Sequence, residues 1–271
     1  MDICLAFDDG YLPHAMVLIE SILRANEEDR ARIKLWILGI ALKPQTLARL
    51  ERNFGGRVAY EVLNDLKFDP SLSISSFAQH KRITASAMLR ILIDSALPSS
   101  VSRVLYLDCD ILCVGALRPL FETNIDRFAL AAVRDPYASR FVDDKMMPGL
   151  EKYPHIDPQA AYFNSGVMLI NRKMWRELSI ESRCLKYLRD NADKLRFCDQ
   201  DALNYAAYGA WKRLPVRWNH AKFWRLEPRL GGALEDASLV HFVGNYKIWY
   251  EEAIDGVIKQ RYFELRSSSV E

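Results

Sequence analysis

Three short apolar runs, Ile3 to Phe7, Ile33 to Leu38 and Val58 to Leu63, are separated by two stretches whose apolar residues recur at helical spacing. Each run is too short for a helix and carries β-branched or aromatic residues, so each predicts a strand. After the first, Pro13 can occupy an opening helical turn. Ala15, Leu18, Ile19, Ile22 and Leu23 then line one face of a helix reaching about Asn26. After the second, Pro44 opens a helix through Leu47 and Leu50 to Phe54, which Gly55 and Gly56 end. Strand, helix, strand, helix, strand is the pattern of a doubly wound α/β sheet with mostly parallel strands and helices on both faces.

Residues 64–82 are polar and turn-rich and read as a loop. Thr84 to Ala96 reads as one helix capped by Thr84, with Met88, Leu89, Leu92 and Ile93 inward; spacing alone puts Arg90 at the edge of that stripe, on the surface. A fourth strand, ending at Leu107, runs straight into Asp108, Cys109 and Asp110. Side chains alternate along a strand, so the two carboxylates point the same way and repel each other. A divalent cation with oxygen ligands relieves that repulsion; a solvated turn is the plain alternative.

Further on, Leu117 to Leu120 leads into a short helix, and Ala129 to Val133 is a strand ending at Arg134 and Asp135. Residues 136–160, with Pro136, Pro148, Pro154 and Pro158, form a long connection of the kind that carries function. Asn164, Ser165 and Gly166 abut an apolar strand to Ile170. Lys173 to Leu195 reads as one amphipathic helix, Asp199, Gln200 and Asp201 open another, Trp211 to Trp218 alternates as a strand, and Val240 to Gly244 is a last strand and turn before a helical end.

Of the 271 residues half are hydrophobic, and no run approaches the roughly 18 apolar residues of a membrane span. The first apolar run meets Asp8 and Asp9 too soon for a secretory signal. Five scattered cysteines without a C-x-x-C pair fit reduced thiols in the cytoplasm. A net charge of +2 gives no reason to expect a nucleic acid partner. There is no G-x-G-x-x-G, no G-x-x-x-x-G-K and no G-x-S-x-G.

Ligands of such sheets bind beyond the carboxyl ends of the strands, where Asp8, Asp108, Asp110 and Asp135 fall. A diphosphate could be held there through a metal on the aspartates and by Lys247. Adding the His241 imidazole to two carboxylates tilts the metal from magnesium toward manganese. A hydrogen-bonded structural histidine is the other reading of His241, and a helix N-terminus the other reading of Asp199 and Asp201.

Six segments in order, Ala6 to Tyr11, Arg90, Tyr106 to Asp110, Phe163 to Gly166, Asp199 to Asn204 and His241 to Lys247, carry a resemblance that reaches about Tyr250. Together they resemble the retaining glycosyltransferases of family 8, as in bacterial lipooligosaccharide galactosyltransferases and glycogenin. The resemblance implies a GT-A type, Rossmann-like fold, with a transferase domain over residues 1–250 and a helical tail over 251–271. It implies manganese-dependent transfer (magnesium as the alternative) of galactose or glucose from a UDP-sugar, with retention. The acceptor would be lipopolysaccharide, another cell-surface saccharide or a lipid-linked glycan, met in the cytoplasm with at most peripheral contact at the inner membrane face.

By the same resemblance Asp108, Asp110 and His241 are metal ligands. Ala6, Asp8 and Tyr11 hold the uracil, Tyr11 by stacking, and Cys109 lies near the ribose. Gly244 and Lys247 bind the diphosphate. Arg90, Ser165 and the catalytic set Gln200, Asp199, Asp135 and Asn164 surround the donor sugar. Gly10, Ile248 and the pair Met88–Leu89 depart from the family pattern without touching a ligand or a charged group. Tyr137, Phe141 and Tyr153 suit stacking on an acceptor sugar, and Lys259, Arg261, Tyr262, Phe263 and Arg266 suit an anionic membrane. A catalytically silent nucleotide-sugar-binding protein or scaffold of the same fold is the alternative function. A nucleotidyltransferase is disfavoured without a glycine-rich phosphate loop.

Overall fold

β1 (Asp2–Ala6), α1 (Leu12–Ala25), β2 (Lys34–Leu38), α2 (Pro44–Phe54) and β3 (Ala59–Leu63) follow one another as the spacing predicts. They belong to a computed structural model that describes residues 1–66, 85–143, 150–191, 198–221, 236–244, 247–250 and 256–268. The chain continues through α3 (Ala85–Met88), α4 (Ile93–Ala96), β4 (Arg103–Leu107), β5 (Ile111–Cys113), α5 (Arg118–Phe121) and β6 (Leu130–Arg134). After these come β7 (Phe163–Asn171), α6 (Arg172–Glu177), α7 (Ile180–Asp190), α8 (Cys198–Ala206), β8 (Trp211–Arg213), β9 (His220–Ala221), β10 (Leu239–His241) and α9 (Gly256–Ser268).

Seven strands form one sheet in the order β3-β2-β1-β4-β7-β6-β8. β1 pairs in parallel with β2 and β4, β2 with β3, and β6 with β8. β7 runs antiparallel to both neighbours, Leu107 opposite Val167 and Arg134 opposite Phe163. Its first residues therefore lie at the edge where β4 and β6 end. β5, β10 and β9 make a second, three-stranded sheet.

Alternation along the strands builds two apolar layers. Cys4, Trp36, Tyr106 and Met168 face one, while Leu5, Ile37, Leu105 and Leu169 face the other. A third cluster joins Val17 of α1 to Phe242, Ile248, Ile258, Tyr262 and Leu265, so α9 is seated on the body of the protein. Tyr262, one of the residues suited to a membrane, is buried there and meets His14 Nδ1 at 2.5 Å.

Three elements differ from expectation. The helix read over Thr84 to Ala96 is broken by a 3₁₀ turn at Leu89–Leu92, all four residues of which are buried. Three residues per turn spread successive side chains around the axis, which one apolar stripe cannot do. Thr84, like most of the 64–82 loop and the end of the helix read to Leu195, lies outside the described residues. The long helix from Lys173 is two, hinged at Ser179 (φ 54°). Trp175 and Ile180 are both buried, yet residues five apart stand about 140° apart on a continuous α-helix; the hinge turns both inward. The strand read over Trp211 to Trp218 ends at Arg213, ahead of Pro215, and a 3₁₀ turn takes Val216–Trp218.

Arg172 ties these parts together. It is 1% exposed, and Nε donates to Asp94 Oδ1 at 2.9 Å. Nη1 donates to the carbonyls of Pro98 and Val101 at 2.6 and 2.5 Å, and Nη2 to those of Asp94 and Leu97 at 2.7 and 2.9 Å. Carbonyls of α4 and of the turn that follows it thus find their donors in one guanidinium. Arg172→Ala should lower the unfolding free energy by about 3–5 kcal/mol, read as a lower urea midpoint at unchanged slope. Arg172→Lys should recover only part of it, because an ammonium cannot span the five acceptors.

Candidate active site

β4 ends at Leu107, and the turn that follows carries Asp108 and Asp110 away from the large sheet into β5. The two aspartates therefore do not stand on one strand, as their spacing suggested. They converge because the turn is gripped at both ends: Asp108 N–H donates to the Gly166 carbonyl at 2.8 Å, and Phe242 N–H to the Asp110 carbonyl at 2.9 Å. β10 sets His241 opposite Ile111, next to Asp110. His241 Nε2 lies 3.1 Å from Asp110 Oδ1 and 3.8 Å from Asp108 Oδ2.

One ligand atom from each of Asp108, Asp110 and His241 falls within 4.8 Å of the others. Two hard oxygens and an imidazole nitrogen form a donor set that fits magnesium or manganese. Gly166 makes the convergence sterically feasible. A Cβ there would lie 2.2 Å from His241 Cε1 and 2.8 Å from Asp108 Oδ2.

Two cations serve these acids. The Lys247 ammonium contacts Asp110 Oδ2 and donates to the Phe242 carbonyl at 2.8 Å. Burial opposes ionisation of Asp110, but Lys247 and His241 outweigh it and hold the carboxyl far below its usual range. Arg90, expected at the surface on spacing alone, is instead buried. It lies 2.8 Å from Asp108 Oδ1 and 3.1 Å from Asp199 Oδ2, donates to Ser165 Oγ at 3.0 Å, and sits 5.0 Å from the centre of the Tyr106 ring. Burial pushes the Asp199 carboxyl up to about 6 in spite of Arg90, with the Asp108 carboxylate adding to the rise.

The remaining polar residues form one hydrogen-bonded group, because antiparallel β7 brings Asn164 and Ser165 to the ends of β4 and β6. Asp135 Oδ1 accepts the N–H groups of Tyr137 and Ala138, both at 2.8 Å. Its Oδ2 accepts from Asn164 Nδ2 at 3.0 Å and Gln200 Nε2 at 3.1 Å. Gln200 Oε1 accepts the Ser165 N–H at 3.0 Å. Asp199 and Gln200 are delivered by the first turn of α8. Asp201, on the same turn, accepts from Tyr162 Oη at 2.6 Å and faces the core.

At the end of β1, the Ala6 carbonyl faces Cys109 Sγ at 3.6 Å. Asp8 caps the turn before α1, its Oδ1 accepting the Tyr11 N–H at 3.1 Å, and Ser86 donates to its Oδ2 at 3.2 Å. Tyr11 meets Trp249 edge to face at 6.3 Å, and Trp249 stacks on His14 at 3.6 Å. Gly244 has a φ of 72° and lies beside Tyr137. Of the three aromatics suited to an acceptor, Phe141 is core, against Tyr162 and Tyr208, and Tyr153 packs on Tyr187 and Tyr205. Tyr137 alone of the three is exposed. Sequence reasoning missed Asn219, which bridges His241 and Asn164, and Tyr106, whose hydroxyl donates to Asp108 Oδ1 at 2.8 Å. Tyr106 lay hidden in an apolar strand, and Asn219 in a stretch with no motif.

The family model of Glycosyl transferase family 8 matches residues 2–253. The chain is 28% identical over 265 residues to General stress protein A of Bacillus subtilis (strain 168), covering 92% of this chain and 87% of that protein. It is 23% identical over 286 residues to a Lipopolysaccharide 1,2-glucosyltransferase of Escherichia coli (strain K12), covering 99% of this chain and 78% of that one. Among solved structures it is similar to the galactosyltransferase LgtC in complex with donor and acceptor sugar analogs, with a TM-score of 0.77, 24% identity, and coverage of 99% and 96%. That likeness is one of fold, and the fold is the GT-A type.

The state of Asp199 gives a pH test. Its carboxyl ordinarily titrates at 3.8 and here at about 6, so between these values the folded chain binds the extra proton. Stability from this group is therefore greatest below about 4 and declines as pH rises through 6. Asp199→Asn cannot titrate. Against wild type, its unfolding free energy should gain about 2 kcal/mol between pH 4 and pH 7, on top of a constant offset from the lost Arg90 contact. Urea denaturation at a series of pH values reads the difference.

Proposed function

The chain belongs to glycosyl transferase family 8, and from that membership we propose that it moves galactose or glucose from a UDP-sugar to a glycan acceptor, with retention at the anomeric carbon. The observation that carries this reading is the cluster of Asp108, Asp110 and His241 with Lys247 on its rim. These three residues would hold manganese, with magnesium as the substitute. Bound there, the metal supplies Lewis-acid stabilisation of charge on the departing diphosphate, worth several kcal/mol.

Lys247 contacts Asp110 through an ammonium that can turn to a diphosphate and neutralise charge as it develops. Gly244 lets the chain pass close to the phosphates. Ala6, Asp8 and Tyr11 hold the uracil at the end of β1, and Cys109 contributes backbone beside the ribose. Arg90, Ser165, Asp135, Asn164, Asp199 and Gln200 surround the hexose.

Retention often runs through a carboxylate nucleophile, but Gln200 is an amide and a poor nucleophile, and both it and Asp199 are engaged. Gln200 has its oxygen on the Ser165 N–H and its nitrogen on Asp135, and Asp199 is paired with Arg90. A front-face displacement suits this better. The bond from the anomeric carbon to the phosphate oxygen breaks with its electrons going to UDP. The acceptor hydroxyl oxygen bonds the same carbon on the same face, and its proton passes to the departing phosphate oxygen. Asp199 and Asp135 shield the positive charge of the sugar.

Residues 1–250 are read as the transferase domain and 251–271 as its tail. The acceptor is read as lipopolysaccharide, another cell-surface saccharide or a lipid-linked glycan, met in the cytoplasm with at most peripheral contact at the inner membrane face. All five cysteines are free and buried, in keeping with a reducing compartment. Among the described residues no helix is long and apolar enough to cross a membrane.

A panel of UDP-sugars with manganese, read by mass detection of UDP and product, tests the reading. The wild type should release UDP from at least one donor, and chelation should abolish release. Gly166→Ala should lower the rate about 5- to 150-fold, the equivalent of about 1–3 kcal/mol of crowding against His241. A folded protein that turns over no donor would be the silent binding protein. A sugar trapped covalently on Asp199 or Gln200 would overturn the front-face step.

A further inference from the structure

The direction of the side-chain amides behind the acidic cluster follows from neighbours whose roles are fixed. A backbone N–H can only donate, so the Asn164 atom 3.0 Å from Gly166 N is Oδ1. Its Nδ2 then faces the acceptor Asp135 Oδ2 at 3.0 Å. Asn219 reaches that same Asn164 Oδ1 at 2.8 Å and must present Nδ2 to it. Asn219 Oδ1 is thereby left facing His241 Nδ1 at 2.9 Å.

An amide oxygen accepts and never donates, so His241 Nδ1 carries a hydrogen in either charge state of the ring. In the neutral ring Nε2 is then a bare lone pair aimed at Asp110 Oδ1, 3.1 Å away, which is another acceptor. Two acceptors in contact need a proton or a metal between them. Asn219 is 3% exposed and His241 2%, so water has little access to replace either partner.

We infer that Asn219 is a positioning residue that keeps the hydrogen of the His241 ring on Nδ1 and presents a bare Nε2 to a metal shared with Asp108 and Asp110. The inference rests on the metal reading above and extends it, since nothing in the sequence pattern assigns Asn219 a role. The relay also joins the two halves of the site. Asn219 and Asn164 connect the imidazole to Asp135, and hence to Gln200, so a shift of the histidine is felt where the sugar is expected to sit.

The test uses the full chain, metal-free and with manganese, as wild type, Asn219→Leu, Asn219→Asp and His241→Gln. Nitrogen-15 NMR of the histidine rings, with His241 assigned from the Gln variant and at a pH where the ring is neutral, should show hydrogen on Nδ1 in the wild type. In Asn219→Leu it should move to Nε2, where Asp110 can accept it. Asn219→Asp, which keeps an acceptor for Nδ1, should restore the wild-type pattern. Manganese affinity, read from the paramagnetic resonance of the free ion, should fall about 10- to 100-fold in Asn219→Leu and less in Asn219→Asp. An Nε2-protonated ring in the wild type overturns the inference. So does an Asn219→Leu chain that keeps both the Nδ1 hydrogen and wild-type affinity. If the hydrogen moves as expected but the wild type binds no manganese, the hold of Asn219 on the ring is supported and the metal reading itself fails.

Discussion

Three carboxylates, Asp108, Asp110 and Asp199, share one largely buried corner at the carboxyl edge of the sheet, and their mutual repulsion is the constraint the site is built to answer. Burying an ionised carboxylate alone is prohibitive, so each must be paired or must keep its proton. Asp110 is paired with the Lys247 ammonium and lies against the His241 imidazole. Asp108 has Arg90 and the Tyr106 hydroxyl. Asp199 shares that same arginine, and its carboxyl rises to about 6. Asp110 and Asp199 are thus moved in opposite directions, the first drawn down chiefly by the Lys247 ammonium and the second pushed up by burial.

The large sheet explains why these groups meet. A wholly parallel sheet would bring to its carboxyl edge only residues that follow a strand, such as those after β1, β4 and β6. Because β7 runs the other way, its opening residues Asn164, Ser165 and Gly166 reach that edge too. They supply the hydrogen bonds that the aspartates and Gln200 require. Glycine at 166 is a steric necessity of the same arrangement. The histidine arrives on a separate small sheet, and it can close on Asp108 only where β7 carries no side chain.

The strands and helices of the first 63 residues were legible because each apolar run has one period and a clear breaker. The acidic pair was legible because two charges after a buried strand demand an explanation. Arg90 was misread by spacing, since a stripe at 3.6 residues per turn puts it at the surface, whereas the chain tightens to a 3₁₀ turn there and points it inward. The break at Ser179 escaped because serine carries no strong helix-stop signal, and only packing requires Trp175 and Ile180 to face the core together. Phe141 and Tyr153 illustrate a related ambiguity. An aromatic in a long connection reads the same whether it meets a sugar or fills the core, and here both pack inward.

Asn219 shows where the limit of sequence reading lies. An asparagine beside a tryptophan in a short strand-like stretch has no pattern, and its importance comes entirely from direction. Its amide lies between two neighbours, Asn164 and His241, and its sense is set through Asn164 by a backbone N–H 53 residues earlier, at Gly166. Composition and spacing carry charge and hydrophobicity along the chain, but they do not carry the sense of a hydrogen bond. That sense decides whether the imidazole turns a proton or a lone pair toward Asp110, and so whether the three residues repel a cation or receive one. The acids bring the negative charge to this edge of the sheet, and the neutral amides behind them determine how it can be used.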